Sequence, residues 1–93
     1  MSIQLPSSNP MVVQAMKDLA RRLTVGLDAI TLIRAEAVVW PDGGLGCPRP
    51  GMAYIQVQQE GMRIVLSVAG KEYHYHSGET RPPFLCENPT PSE

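Results

Sequence analysis

Between Trp40 and Tyr54 the chain reads Trp-Pro-Asp-Gly-Gly-Leu-Gly-Cys-Pro-Arg-Pro-Gly-Met-Ala-Tyr. From Pro41 to Gly51 it holds three prolines and four glycines. Proline lacks an amide hydrogen and glycine has no side chain to pack, so this piece cannot be a helix or a central strand. It therefore divides the chain. One helix-patterned and one strand-patterned stretch precede it, and the alternation of a small antiparallel sheet follows it. Asp42-Gly43 suits a tight turn, but the length to the next strand predicts a wider loop.

Upstream, Asn9-Pro10 reads as a helix start, with Asn as N-cap and Pro in the first helical position. Val12, Met16, Leu19 and Leu23 recur at helical spacing, and Val13 and Ala20 widen the stripe. Gln14, Lys17, Asp18 and Arg21 fall opposite. Arg21 and Arg22 suit the C-terminal end of the helix dipole, and Gly26 is expected at the left-handed position after the helix. From Ala29 to Trp40 a strand is expected. Ile33 breaks its alternation, so a bulge is expected near Arg34.

Downstream, a turn at Glu60-Gly61 would set Val57 opposite Ile64, Ile55 opposite Leu66 and Ala53 opposite Val68. A turn at Gly70-Lys71 would set Tyr73 opposite Val68 and Tyr75 opposite Leu66. Moving that turn to Ala69-Gly70 changes the partners but not the faces. The apolar face so formed is the natural seat of the helix. The other face carries Tyr54, Gln56, Arg63, Val65, Ser67, His74 and His76. Phe84-Leu85 should dock on the body. The expected fold is α+β, one N-terminal helix on an antiparallel sheet of about four strands. The strand before the loop is set beside the one after it, or else at the opposite edge of the sheet.

The chain has 93 residues, enough for one domain, expected over 10–86, with a flexible lead-in at 1–9 and a disordered tail at 87–93. A chain this short buries about 60–65% of its unfolded surface, so a crosslink would help it. Eight basic residues against nine acidic ones give a net charge of -1, no field for a phosphate backbone. Nucleic acid is therefore not an expected partner. No apolar run approaches the ~20 residues of a membrane helix. No Lys or Arg precedes Lys17, so the start does not read as a signal peptide. A cytoplasmic protein is expected as the chain stands, or a secreted one if a leader has been removed.

Trp40-Pro41-Asp42, Leu45-Gly46-Cys47-Pro48, Pro50-Gly51-Met52 and Tyr54 resemble the signature of a family of small bacterial proteins with no assigned activity. Gly61, Arg63-Ile64-Val65-Leu66, Gly70, Tyr73, Tyr75-His76 and Phe84-Leu85-Cys86 match as well, as does the helix segment Asp18-Leu19-Ala20 with Leu23, so the resemblance spans roughly residues 11 to 87. It carries no catalytic residue to this chain. Some members are similar to secreted proteins, which would favour a Cys47–Cys86 bridge.

Cys47 and Cys86 are the two cysteines. In a secreted domain they read as a disulfide, in a cytosolic one as free thiols. The meander puts the Cys47 loop at the end of the Gly70 turn, and the chain from Gly78 to Cys86 spans roughly 30 Å when extended, so the sulfurs can meet. His74 and His76 project from one strand face. With Cys47 and Cys86 they would make a zinc-type ligand set, although the spacing matches no common zinc motif. Asp42, His76 and Cys47 have the residue types of a nucleophile set, but Asp between Pro and Gly is ordinary turn chemistry. Trp40 and Tyr54 flank the loop and would either stack a partner or seal the core beneath it.

The expected function is a small non-catalytic binding module using Trp40, Asp42, Leu45, Arg49 and Tyr54, with a protease-inhibitor-like loop as one version. The partner would be a protein or peptide, without cofactor, nucleic acid or membrane, and the chain a monomer or weak dimer. The alternative is a metal- or thiol-dependent enzyme built on Cys47, His76 and Cys86.

Overall fold

A computed structural model of the chain describes residues 9–48 and 51–87. Helix α1 runs over Pro10–Leu23. Asn9 caps it, its Oδ1 accepting from the Met11 amide at 2.9 Å, and Pro10 occupies the first turn, where an amide would lack an intrahelical acceptor. Val12, Ala15 and Leu19 are fully buried, and Met16, Ala20 and Leu23 pack around them. The helix ends sooner than Gly26 suggests. Thr24 takes the left-handed conformation at φ 55°, while Gly26 stays at φ -74°. Turning there lets Val25 pack on the core before a 3-10 turn at Leu27–Ala29 leads into the sheet.

The sheet has four strands in sequence order, each antiparallel to the next: β1 (Thr31–Trp40), β2 (Gln59–Val68), β3 (Lys71–Ser77) and β4 (Phe84–Cys86). This is the expected α+β class. The bulge expected near Arg34 is present. Leu32 faces Leu66, but Arg34 already faces Val65, so Ile33 is the extra residue and is 49% exposed. The slip restores the period of two, so Leu32 and Ala35 share the helix-covered face.

The strand expected around Ala53–Val57, with a turn at Glu60-Gly61, does not form. β2 runs unbroken through both residues and pairs with β1. Ile64 therefore faces Ala35, and Leu66 faces Leu32. A ladder of nine residue pairs with β1 replaces the shorter one expected with the 53–57 segment. The following turn is at Ala69-Gly70, with φ 52° and 83°, as the primed hairpin turns require. Tyr73 then faces Leu66 and Tyr75 faces Ile64, on the expected side. Phe84-Leu85 docks as expected and does so as a strand, opposite His76 and Tyr75.

One face of the sheet is covered by α1. Here Ala35, Ile64, Leu66 and Tyr75 join Val12, Ala15 and Leu19 in one cluster. Full burial of the Val, Leu and Ile side chains among them is worth about 1.5–3 kcal/mol each. At its edge the Tyr75 hydroxyl donates to Asp18 at 2.7 Å, and Asp18 also pairs with Arg21 and Arg22 at 2.6 Å. Burial pushes the Asp18 carboxyl up, but the bonds from Tyr75 and Arg22 and the two positive charges outweigh it, and the group lies below its ordinary value. Burial, then the bond to Asp18, pushes Tyr75 up.

The connection from Pro41 to Gln58 leaves and re-enters at the end opposite the Ala69-Gly70 turn, not at that turn as expected. Among the described residues no helix is long and apolar enough to cross a membrane. Apart from Asn9 and Glu87, the lead-in expected at 1–9 and the tail at 87–93 lie outside the described residues.

Candidate functional site

The sheet face away from the helix is closed around His76, which is 1% exposed. Trp40, the last residue of β1, crosses over β2, and its indole Nε1–H donates to the Ser77 carbonyl at 2.8 Å. Gly61 lies directly beneath that crossing. A Cβ there would collide with the Ser77 carbonyl oxygen and the indole nitrogen. A glycine inside a strand thus marks a close approach, and here it is not a turn.

His76 stacks on Trp40 with ring centres 4.6 Å apart and a 26° interplanar angle, and meets Phe84 edge-on at 6.3 Å. Its Nδ1 lies 2.8 Å from the Leu45 carbonyl oxygen. A carbonyl can only accept, so Nδ1 carries the hydrogen and Nε2 of the neutral ring does not. Nε2 is buried without a hydrogen-bond partner. Burial lowers the pKa of His76, and the charges of Arg63 and His74 lower it further, against the opposing pull of the Leu45 bond. The ring is therefore neutral and sealed.

The seal is the loop itself. Asp42 Oδ1 accepts from the Gly44 amide at 2.8 Å, and Gly43 donates to the Ile55 carbonyl at 2.8 Å. Leu45 at φ 55° and Gly46 at φ 71° are successively left-handed. For Leu45 that conformation costs about 1–2 kcal/mol. It turns the Leu45 side chain inward, where it is 3% exposed, and lays Gly46 against the Trp40 ring, with no room for a Cβ. Cys47 then bonds Cys86 of β4, S–S 2.07 Å, across a sequence separation of 39. No free cysteine remains.

The residues nominated from sequence thus part company. Trp40 and Leu45 are buried under the loop and serve its attachment, while Asp42 shapes the turn. Tyr54 is half-buried, its ring over Gly44, and Arg49 lies outside the described residues. Cys47 and Cys86 meet as a disulfide. His74 faces Cys86 across the β3–β4 ladder, and His76 faces Phe84. Both sulfurs being bonded to each other, the ligand set Cys47, His74, His76, Cys86 is not assembled. Among the described residues no group of three or more His, Cys, Asp or Glu side chains is arranged to hold a metal. The Asp42, His76, Cys47 set is likewise spent on Gly44, Leu45 and Cys86. Where β4 stops short of the start of β3, a cleft of about 280 Å³ lies between Lys71–His74 and Leu85–Glu87.

The alternation of Ile55 and Val57 predicts a place in the core, and nothing in the pattern singles out Met52. In the structure they are the exposed ones, at 70%, 58% and 59%. They sit on the return arm of the loop, which belongs to no ladder. Val39, 61% exposed, lies beside that end of the sheet. The signal available in the sequence was the want of charge: no Asp, Glu, Lys or Arg occurs from Gly51 to Gln58.

A helix on one sheet face and a disulfide-tied loop on the other define a small α+β domain with a covalently anchored cover. The chain belongs to the family described as a domain of unknown function (DUF8738), whose model matches residues 12–86. No curated protein and no solved structure matches it.

Proposed function

We propose that this protein is a small non-catalytic binding module, and that its contact surface is the outer side of the Trp40–Tyr54 loop with the arm that follows it. The observation that carries this reading is a contrast within one segment. The tip is fixed by the disulfide, by His76 and by Trp40, while the adjoining arm holds Met52, Ile55 and Val57 in solvent. A surface anchored beforehand loses little freedom on binding. Large apolar side chains grouped at one end are what a protein or peptide partner would cover. The near-zero net charge favours such a partner over nucleic acid. An inhibitor-like loop that engages a protease is one version of this reading.

The bridge favours an oxidising compartment, hence the secreted branch of the localisation expectation. The likeness to bacterial proteins carrying the Trp40–Tyr54 signature supports the same setting. The alternative, a thiol- or metal-dependent enzyme on Cys47, His76 and Cys86, requires the bridge to open first.

Capture from the secreted fraction of a bacterial culture tests the reading. The immobilised wild type and a Leu27→Asp control should retain a common partner that Ile55→Asp and Val57→Asp lose. A partner retained equally by all four would sink the proposal. Stoichiometric zinc with two titratable thiols in the native protein would replace it with the enzyme reading.

A further inference from the structure

We infer that the Cys47–Cys86 bridge is a thiol-operated latch: a low-molecular-weight thiol attacks the sulfur of Cys47, Cys86 leaves, and the loop at 41–48 opens while the helix and sheet stay folded. The latch itself is independent of the binding-module reading. Its use to regulate the proposed contact surface rests on that reading.

The two halves of the bridge are unequal. Cys86 is 3% exposed and is held in the β3–β4 ladder opposite His74. Cys47 is only half-buried, lies in no ladder, and is followed by the exposed Pro48. Thiol–disulfide exchange is an in-line displacement, so a thiolate that expels Cys86 must reach Cys47 from the side away from β4. Cys86 belongs to the sheet and Cys47 to the segment laid over it, so that approach is from solvent.

The attacking thiolate bonds to Cys47 as the bond between Cys47 and Cys86 breaks, and Cys86 departs with the electron pair. Its thiolate takes a proton from water at the cleft that Cys86 lines together with Lys71, Glu72, His74 and Glu87. A second thiolate then attacks the thiol-derived sulfur of the mixed disulfide and expels Cys47. Two electrons have passed to the cysteine pair, and the two small thiols leave as their own disulfide.

Opening stays local because of where the loop's bonds go. Leu45 donates to Asp42 and Cys47 to Gly44, bonds that turn the loop on itself and do not tie it to the sheet. Toward the sheet, the Leu45 carbonyl meets His76, the Leu45 side chain is buried and Gly46 lies on Trp40. Against these stand the entropy of ordering the segment, the left-handed Leu45 and the buried, unpartnered Nε2 of His76. Opening relieves all three, and the bridge tips the balance toward closure. Helix α1 packs on the other face of the sheet and takes no part. Gly43 also steadies the arm by donating to the Ile55 carbonyl, so opening loosens the seat of Met52, Ile55 and Val57.

Dithiothreitol and glutathione, added to the purified, oxidised protein in native buffer, test the inference. Dithiothreitol should yield two titratable thiols without denaturant and leave the far-ultraviolet circular dichroism unchanged. Trp40 is the sole tryptophan and reports the latch directly. Its quenching by acrylamide should rise at least about twofold, and exchange at 42–48 should quicken about tenfold or more, with a smaller change in α1. Glutathione, followed by alkylation and peptide mapping, should be found on Cys47. The double variant Cys47→Ser with Cys86→Ser should show the open pattern with or without reductant. A bridge that yields only after denaturation overturns the latch, and so does an adduct on Cys86. Melting of α1 together with the loop overturns it equally, as do free thiols with Trp40 and residues 42–48 still shielded. Capture through Ile55 and Val57 that weakens on reduction joins the latch to the contact surface. An opening latch in a protein that captures no partner upholds the latch and sinks the binding-module reading.

Discussion

The helix-covered face of the sheet sets Val12, Ala15 and Leu19 against Ala35, Ile64 and Leu66, whereas the loop-covered face sets Trp40, Leu45 and His76 beneath a segment with no regular ladder. The first is closed by apolar area. Many small contacts share the task, and any side chain of the right size and period helps. The second is closed by a few specific attachments: one disulfide, the bond from Trp40 to Ser77, the bond between His76 and Leu45, and a ring stack. Area is robust and general. Attachments are specific, and losing one should release a short segment rather than unfold the whole. A covered face of the second kind suits a surface that must be held in shape with few residues.

Breaking the helix side should cost most and act globally. Leu19→Ala, at a fully buried position, should lower unfolding stability by about 2–5 kcal/mol in urea titration. Its loss should appear equally in probes on both faces. If the loop amides were spared while the helix melted, the two faces would not share one cooperative unit.

The loop side should respond next to removal of its covalent tie. The double variant Cys47→Ser with Cys86→Ser should be less stable by about 2–4 kcal/mol. Hydrogen exchange in residues 42–48 should accelerate more than exchange in α1. Equal acceleration in both would mean that the bridge acts on the unfolded chain alone and does not hold the cover.

Gly61→Ala sharpens the contrast, because it adds a methyl group where the indole crosses. The expected loss is about 1–3 kcal/mol, with a change in Trp40 fluorescence as the ring is displaced. Ordinary strand behaviour would predict the opposite, since alanine is stiffer than glycine. A stabilised Gly61→Ala protein would refute the crossing.

The smallest effect is a pH dependence confined to the loop side. The folded-state pKa of His76 lies below its ordinary 6.5, so the unfolded chain binds a proton the folded one resists. Its contribution is complete above about pH 6.5 and is lost as pH falls from there through the folded value. Denaturation midpoints should drop between pH 7.5 and 5, and His76→Asn, whose amide can still donate to Leu45, should flatten that drop. Asp18 acts in a lower window. Its depressed pKa gives stability that is present above about 3.8 and lost as pH falls through the folded value, on the helix side.

How much of this was legible varied with the kind of interaction. The helix was legible in its 3.6-residue period and its Asn-Pro start, because burial of one stripe repeats along the chain. The bulge at Ile33 was legible because a single extra residue disturbs a period of two. The arm misled, since Ile55 and Val57 alternate as a buried strand does. Alternation records fitness for a sheet and does not say which strand wins the place beside β2. Gly61 misled for a related reason. A Glu-Gly pair reads locally as a turn, and its true cause is an indole from a residue 21 positions away in sequence. The Cys47 loop lies at the end of the sheet opposite the one its pattern predicts, so the sulfurs meet by a different path. Of the nominated contact residues, Trp40 and Leu45 were visible as unusual, but whether they point in or out is not written in composition.

The chain's own sequence settled its class, its helix and the faces of its strands, because those follow from periods and local backbone preference that each residue carries with it. The pairing of β1 with β2, the burial of Trp40 and Leu45, and the exposure of the arm were decided only on folding. They depend on which distant groups compete for the same surface, and that competition has no local signature.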